Sequence, residues 1–319
     1  MRILVTGSSG HLGEALVRTL RARGRDVVGA DLLPSPFTTA VGDLSDRSFV
    51  EACMAGVGAV IHSATLHKPH VVSHTRQAFV DTNITATLNL LEASSARRVG
   101  AFLFTSTTST FGDALTPAPD APAIWITEDV APVAKNIYGV TKVAAESLCE
   151  LFHRNQKLPC LVLRTSRFFP EEDDMKETRD AYADDNAKAN EYLYRRVDIE
   201  DVVAAHLLAL DRAASIGFGR YIVSATTPFT RADLAGLRRD APSVVRRLFP
   251  TFELEYRKRD WRMFPSIDRV YVNERARREL GWQPRYDFES RLRALAAGAD
   301  PTSELSRVVG AKGYHRSPG

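Results

Sequence analysis

Thr6-Gly7-Ser8-Ser9-Gly10-His11-Leu12-Gly13 decides the fold. It lies between an apolar run, Ile3–Thr6, and a stretch, Leu12–Arg23, whose apolar residues Leu12, Ala15, Leu16 and Leu20 recur at the spacing of one helical face. Strand, glycine-rich turn and helix in that order open a dinucleotide-binding βαβ unit. Gly7 permits the tight turn, Gly10 lets backbone approach a pyrophosphate, and Gly13 lets the helix pack closely on the strand. The free N–H groups and dipole of the helix N-terminus favour the anion. Asp31 ends the next apolar run, Val27–Ala30, at the spacing where an acid takes the ribose 2′-hydroxyl. A carboxylate there repels a 2′-phosphate, and no Arg follows in Leu32-Leu33-Pro34, so the expected cofactor is NAD rather than NADP. Gly42-Asp43-Leu44 comes after a further short extended stretch. Asp43 either accepts from an adenine amino group or caps the helix expected over Ser45–Met54.

Working outward, Ala59–His62, Ala101–Ser106 and Cys160–Arg164 read as strands, and Thr82–Ala96 and Tyr138–Arg154 as helices. Strands alternating with helices imply parallel pairing through right-handed crossovers. The expected class is α/β, a doubly wound parallel Rossmann sheet with a smaller C-terminal substrate-binding domain. The second half reads differently. Glu171–Asn190 is a polar surface excursion with some helix, Val202–Leu210 an apolar helix and Tyr221–Ser224 a strand. Thr230–Leu237 opens on an N-cap signal, Thr230 with Asp233, and Asn273–Gly281 is a short helix ended by glycine. The expected division is an NAD-binding domain over residues 1–165, to which later segments return, a mostly substrate-binding domain over 166–300, and a C-terminal tail over 301–319. The last residues, Gly310–Gly319, read as loose.

The 319 residues carry a formal charge of only +3, too little for a nucleic-acid binder. The Arg-rich stretch Arg238–Arg278 is broken by Val244, Val245, Leu248 and Phe249 and reads as solvated helix faces. Cys53, Cys149 and Cys160 show no CxxC spacing, so neither a disulfide framework nor a metal site is expected, and a reducing cytoplasm is. No apolar run reaches the roughly 18 residues a membrane span needs. The chain starts directly on a strand, with no signal peptide expected.

Tyr138-Gly139-Val140-Thr141-Lys142 opens a helix and places Tyr138 and Lys142 on one face. A Lys ammonium behind a phenol favours the phenolate, which suits a general base. The hydroxyl-rich run Thr105-Ser106-Thr107-Thr108-Ser109-Thr110 ends a strand at the carboxyl edge of the sheet, where ligands of open α/β sheets sit.

The chain resembles the extended short-chain dehydrogenase/reductases, the NAD-dependent epimerase/dehydratase group that includes UDP-galactose 4-epimerase. The resemblance spans roughly residues 1–295. It is carried by TGSSGHLG at 6–13, Asp31, GDL at 42–44, VIHSAT at 60–65, Asn83 in NITATLNLLEAS, FTSTTSTFG at 104–112, YGVTK at 138–142, LRTSRFFP at 163–170, RRVDIEDVVAAH at 195–206 and NERARRELGWQP at 273–284. It implies Thr107 as catalytic hydroxyl, Tyr138 as base and Lys142 as its partner on the nicotinamide ribose. His11 and Leu12 would touch the pyrophosphate, Asp43 and Leu44 would flank the adenine, and Ser63, Ala64 and Thr65, with Asn83 nearby, would line the cofactor cleft. Ser63 and Ala64 are equally read as small residues packing on backbone. His67, Thr107, Thr108 and Arg167 would face the substrate, His67 as a loop residue lining the pocket.

The chain departs from the group where Arg167 replaces the Asn after the LR strand. Arg167 either grips a phosphate or carboxylate or pairs with Glu171 or Glu172. Uronate dehydrogenases, which oxidise free sugar acids, resemble this compact segment. The expected activity is hydride transfer between NAD and a hydroxyl-bearing carbon of a sugar or nucleotide sugar, by epimerisation or net oxidation. A free sugar acid is the alternative substrate, and an NAD-sensing module the non-catalytic alternative. No acid pair follows Thr107, which disfavours dehydration. By analogy a homodimer is expected through the helices Thr82–Ala96 and Tyr138–Arg154, with no membrane or nucleic-acid partner.

Overall fold

The computed structural model describes residues 1–313. Its strands are β1 (Arg2–Thr6), β2 (Val27–Asp31), β3 (Ala40–Val41), β4 (Val57–His62), β5 (Ala101–Thr107), β6 (Ile124–Ile126), β7 (Cys160–Thr165), β8 (Phe218–Val223) and β9 (Arg269–Tyr271). Seven form one sheet in the order β3-β2-β1-β4-β5-β7-β8, and every pairing in it is parallel. The α/β doubly wound Rossmann architecture is therefore present. Strand order reverses between β1 and β4, which opens a crevice at their carboxyl ends.

The strands are apolar on both faces because helices cover both. Side chains alternate across β1. Ile3 and Val5 join Ile61, Leu103, Leu161 and Leu163 against the helices His11–Ala22 and Ile199–Ile216. Leu4 points the other way, into a cluster with Val60, Phe102, Phe104 and Val162 under the helices Arg47–Cys53, Ala86–Ala96 and Ile137–Gln156. A third core, including Leu193, Leu237, Val245, Ile267 and Val270, is built mostly from the later chain, with Ala123 from the first half. β6, also from the first half, pairs with β9 in a separate two-stranded parallel sheet.

Several boundaries differ from the sequence reading, each for a local reason. The helix expected over Ser45–Met54 is Arg47–Cys53, because Asp46 accepts from Ser48 N and caps it. Asp43 accepts from Ser45 N (2.8 Å) and is not that cap. The helix expected over Thr82–Ala96 is Ala86–Ala96, continued from the helix Arg76–Val80, capped by Thr75, through a π turn at Asp81–Thr85. Thr230 and Asp233 do form a capping box, but the helix beyond it runs over Leu234–Leu248 and breaks at Asp240, two residues before Pro242.

The C-terminal stretch expected as a tail over 301–319, its last residues from Gly310 read as loose, is tethered as far as it is described. The helix Glu304–Val309 is capped by Ser303 and buries Val309 in the first core. The N–H groups of Lys312 and Gly313 donate to Glu171 (2.8 and 3.3 Å), and Lys312 Nζ bonds Glu14. Residues 314–319, the rest of that expected tail, lie outside the described residues. Among the described residues no helix is long and apolar enough to cross a membrane.

Candidate active site

The glycine turn is built as its spacing requires. Gly7 has φ +73°, and a Cβ there would lie 2.7 Å from the Ala64 nitrogen. A Cβ on Gly13 would lie 1.9 Å from the Gly7 carbonyl oxygen, so only glycine lets the helix sit this close. Gly10 is the N-cap of His11–Ala22 and brings no capping side chain, which leaves first-turn N–H groups for a ligand. Asp31 ends β2 beside this turn and accepts from Ser9 N and Leu33 N, both at 3.0 Å. A backbone cradle that any Cβ would fill, a bare helix N-terminus and an adjacent acid fit the pyrophosphate and ribose of NAD.

The turn forms one end of a cavity of about 440 Å³. Of the residues expected at the cofactor, Gly7, Gly10, His11, Leu12, Gly13, Ser63 and Thr65 line it together with Tyr138 and Lys142. His67, Thr107, Thr108 and Arg167 line it as well. Asp31, Asp43, Leu44, Ala64 and Asn83 are not in its wall. Leu44 is buried in the second core and Ala64 packs against it. Asp43 is exposed. Asn83 acts one step back: its carbonyl accepts from Thr65 Oγ1 and Leu66 N (2.9 Å each), and its amide donates to Thr141 Oγ1 (3.0 Å). It fixes the loop after β4 to the helix that carries Tyr138.

Tyr138 stands in the first turn of Ile137–Gln156, where Asn136 caps Gly139 N (3.1 Å). Thr107, the last residue of β5, hydrogen-bonds the Tyr138 phenol and accepts from Ser109 N (3.1 Å). Burial pushes the phenol up to about 12, against the lowering effect of the Thr107 hydroxyl. Lys142 lies one turn along, its Nζ 4.0 Å over the Phe104 ring and donating to the Thr105 carbonyl (2.7 Å). Burial lowers Lys142 to about 7, against the carboxylate of Glu146 and Cys149, which raise it. The expected lowering of the phenol by the ammonium is thus not what the protein alone supplies. The lysine's own charge is weakened by burial, and its bond goes to β5.

Arg167 keeps its place in the cavity wall, but the expected ion pair with Glu171 or Glu172 is corrected. Its guanidinium lies 3.4 Å from Asp173 and 3.8 Å from Asp174, and it donates to the Glu172 carbonyl (2.6 Å). Glu171 instead takes His11 Nε2 at 3.0 Å. Burial raises the Glu171 carboxyl, but the His11 bond and charge and the Lys312 N–H outweigh it and hold the group at about 2. The cavity is also lined by residues the sequence reading did not assign to the site: Glu171, Arg195, Arg269 and Tyr271. Arg269 also corrects the reading of Arg238–Arg278 as solvated faces, since it is part-buried on β9 with its guanidinium 6.0 Å from the Tyr194 ring. No local signal marks Arg269 and Tyr271, because β9 is brought to the cavity by long-range pairing with β6.

Comparison with known proteins agrees with this geometry. The model of the NAD dependent epimerase/dehydratase family matches residues 3–223. A 3-beta-hydroxysteroid dehydrogenase of Mycolicibacterium neoaurum is 35% identical over 34% of this chain and 32% of its own length. The chain spans only about half the length of the next two curated relatives it matches. A UDP-glucose 4-epimerase of Rhizobium meliloti is 26% identical over 90% of this chain and 93% of its own. In fold, a short-chain dehydrogenase/reductase superfamily protein from Agrobacterium tumefaciens, solved with bound NAD, superposes with a TM-score of 0.64 at 24% identity. That match covers 93% of this chain and 96% of the other.

Proposed function

The chain belongs to the NAD dependent epimerase/dehydratase family, and from that premise we propose that it transfers hydride between NAD and a hydroxyl-bearing carbon of a sugar or nucleotide sugar. One observation carries the reading. The Thr107 hydroxyl bonds the Tyr138 phenol, with Lys142 one turn away, in the cavity whose other end is the glycine turn. NAD, when bound, supplies the hydride acceptor. Tyr138 takes the proton of the substrate hydroxyl, and Thr107 holds the same oxygen. Lys142, fixed through Thr105 one turn along the helix from Tyr138, would hold the nicotinamide ribose beside the phenol. Asn83 keeps the cleft loop and the Tyr138 helix in register.

A second reading, net oxidation of a free sugar acid, is favoured by Arg167 in the cavity wall, where a carboxylate could compete with Asp173 and Asp174 for the guanidinium. We also propose a homodimer through the helix Ile137–Gln156 and its neighbour Ala86–Ala96. It is supported by Val140 and Leu151, which are exposed on the former, and elution or light scattering at monomer mass would sink it.

The deciding assay incubates the protein with NAD or NADP and with UDP-sugars or free sugar acids. Product is read by nicotinamide absorbance and by chromatography. Epimer without net reduced cofactor makes it an epimerase. Net NADH with a sugar acid makes it a dehydrogenase. NAD binding without any turnover returns the sensor reading.

A further inference from the structure

Three consecutive residues at the end of β5 are each held by a different turn of the helix Ile137–Gln156. Tyr138, Lys142 and Glu146 follow one another at intervals of four and so share one face. Tyr138 meets the Thr107 hydroxyl and Lys142 Nζ the Thr105 carbonyl (2.7 Å). The Ser106 hydroxyl donates to Glu146 at 2.5 Å. The mechanism above uses the first two contacts and not the third, since Glu146 is buried and outside the cavity wall. Its carboxylate also takes Arg164 in a two-pronged pair, Nε at 3.1 Å and Nη2 at 2.7 Å. Arg164 stands on β7 directly opposite Ser106 in the strand ladder, one rung before the pair Thr107 and Thr165. It is buried as well, with its guanidinium 4.9 Å over the Phe111 ring. One buried carboxylate therefore ties the helix to two neighbouring strands right beside Thr107.

We propose that Glu146 is a positioning residue: held between Ser106 and Arg164, its carboxylate sets the register of the helix Ile137–Gln156 against the end of β5, and so brings the Tyr138 phenol and the Thr107 hydroxyl onto the same substrate oxygen. The inference rests on the reading of Tyr138 and Thr107 as the reacting pair. A carboxylate–guanidinium pair out of water contributes little net stability over an apolar pair of similar volume. Its parallel hydrogen bonds are directional, however, and fix a geometry that apolar packing leaves free to slide. Catalysis is sensitive to such slides, since a displacement of about 1 Å can cost on the order of 10²-fold in rate. Glu146 has a second effect on the same helix, because its charge opposes the weakening of Lys142 by burial. Ser106 separates the two effects. Removing its hydroxyl breaks the bond to β5 and leaves every charge in place. Arg220, whose Nε lies 3.5 Å from Glu146, keeps Glu150 as its partner (2.5 Å) when Glu146 is replaced.

The test assays the full chain with NAD on UDP-glucose, UDP-glucuronate, D-glucuronate and D-galacturonate, and takes the best of these probes to the variants. They are Ser106→Ala, the apolar pair Glu146→Leu with Arg164→Met, Thr107→Val, Ser106→Ala with Thr107→Val, and Tyr138→Phe. Ser106→Ala should lose ~10-fold in kcat and the apolar pair ~10²-fold, with KM for the sugar and for NAD unchanged. Both should melt close to wild type. In the Thr107→Val background Ser106→Ala should cost nothing further, because it acts through Thr107. A side chain that merely supports the fold would lower Tm or the folded fraction and cost the same factor in both backgrounds. Full kcat in Ser106→Ala or in the apolar pair would overturn the proposal. So would a loss confined to KM, an undiminished effect of Ser106→Ala in the Thr107→Val background, or losses that track the folded fraction by circular dichroism. Ser106→Ala decides the matter alone if the apolar pair does not fold. If Tyr138→Phe is dead while Ser106→Ala and the apolar pair are normal, only this inference falls. If Tyr138→Phe stays active, or no probe turns over, the reading beneath it falls as well.

Discussion

At the scale of single residues, the proposed chemistry turns on a phenol and an ammonium that burial drives in opposite directions. With Tyr138 up at about 12 in the protein alone, oxidation of an alcohol should accelerate as pH rises from 6 to 9. The profile of kcat/KM checks this. Tyr138→Phe should remove the rising limb and about 10²–10⁴-fold of turnover, with no loss of Tm. Lys142→Met trades a buried amine for an apolar chain against Phe104. The fold should survive by circular dichroism, with turnover down by on the order of 10²-fold. Most of this site was legible. The spacing of Tyr138 and Lys142 is a property of one helix turn, and Thr107 ends an apolar strand. What a one-dimensional reading could not weigh was burial. Nothing in YGVTK says that Lys142 will lie over Phe104 and bond Thr105, or that Arg167 will find Asp173 rather than Glu171 or Glu172.

At the scale of elements, the first strand, turn and helix form a unit closed by the absence of side chains. Gly13→Ala puts a methyl carbon where the Gly7 carbonyl oxygen stands. It should destabilise by about 1–3 kcal/mol or more and abolish NADH binding, read by thermal melting and fluorescence titration. Gly24→Ala is the control: its Cβ would meet nothing within 4 Å, so its cost should be limited to its φ of +69°. This unit was readable because strand, glycines and helix are contiguous. The parallel pairing of a doubly wound sheet followed from alternation alone. The π turn at Asp81–Thr85 was not readable, since it answers to the four bonds of Asn83 with the distant Thr65, Leu66 and Thr141. Arg269 and Tyr271 on β9 belong to the same class of surprise.

At the scale of the whole molecule, Glu171 joins three distant parts of the chain: His11 of the cofactor helix, the excursion after β7, and Lys312 and Gly313 near the end. Its carboxyl is held at about 2, below its ordinary 4.5, so it stabilises the fold fully above the ordinary value and less as pH falls toward 2. Glu171→Gln should lower Tm at pH 7, and its difference from wild type should shrink below about pH 4. Melting curves across that range check the sign. The parallel order β3-β2-β1-β4-β5-β7-β8 has a consequence for how the molecule is made. Each strand, taken in the order of synthesis, joins an edge that already exists, and none is inserted between two earlier partners. A chain emerging from the ribosome can therefore lay down its sheet outward from β1 without reopening a finished ladder. Only β6 must wait, unpaired, until β9 emerges some 140 residues later. The cofactor end of the cleft is thus available to form early, and the wall carrying Arg269 and Tyr271 is among the last parts to close.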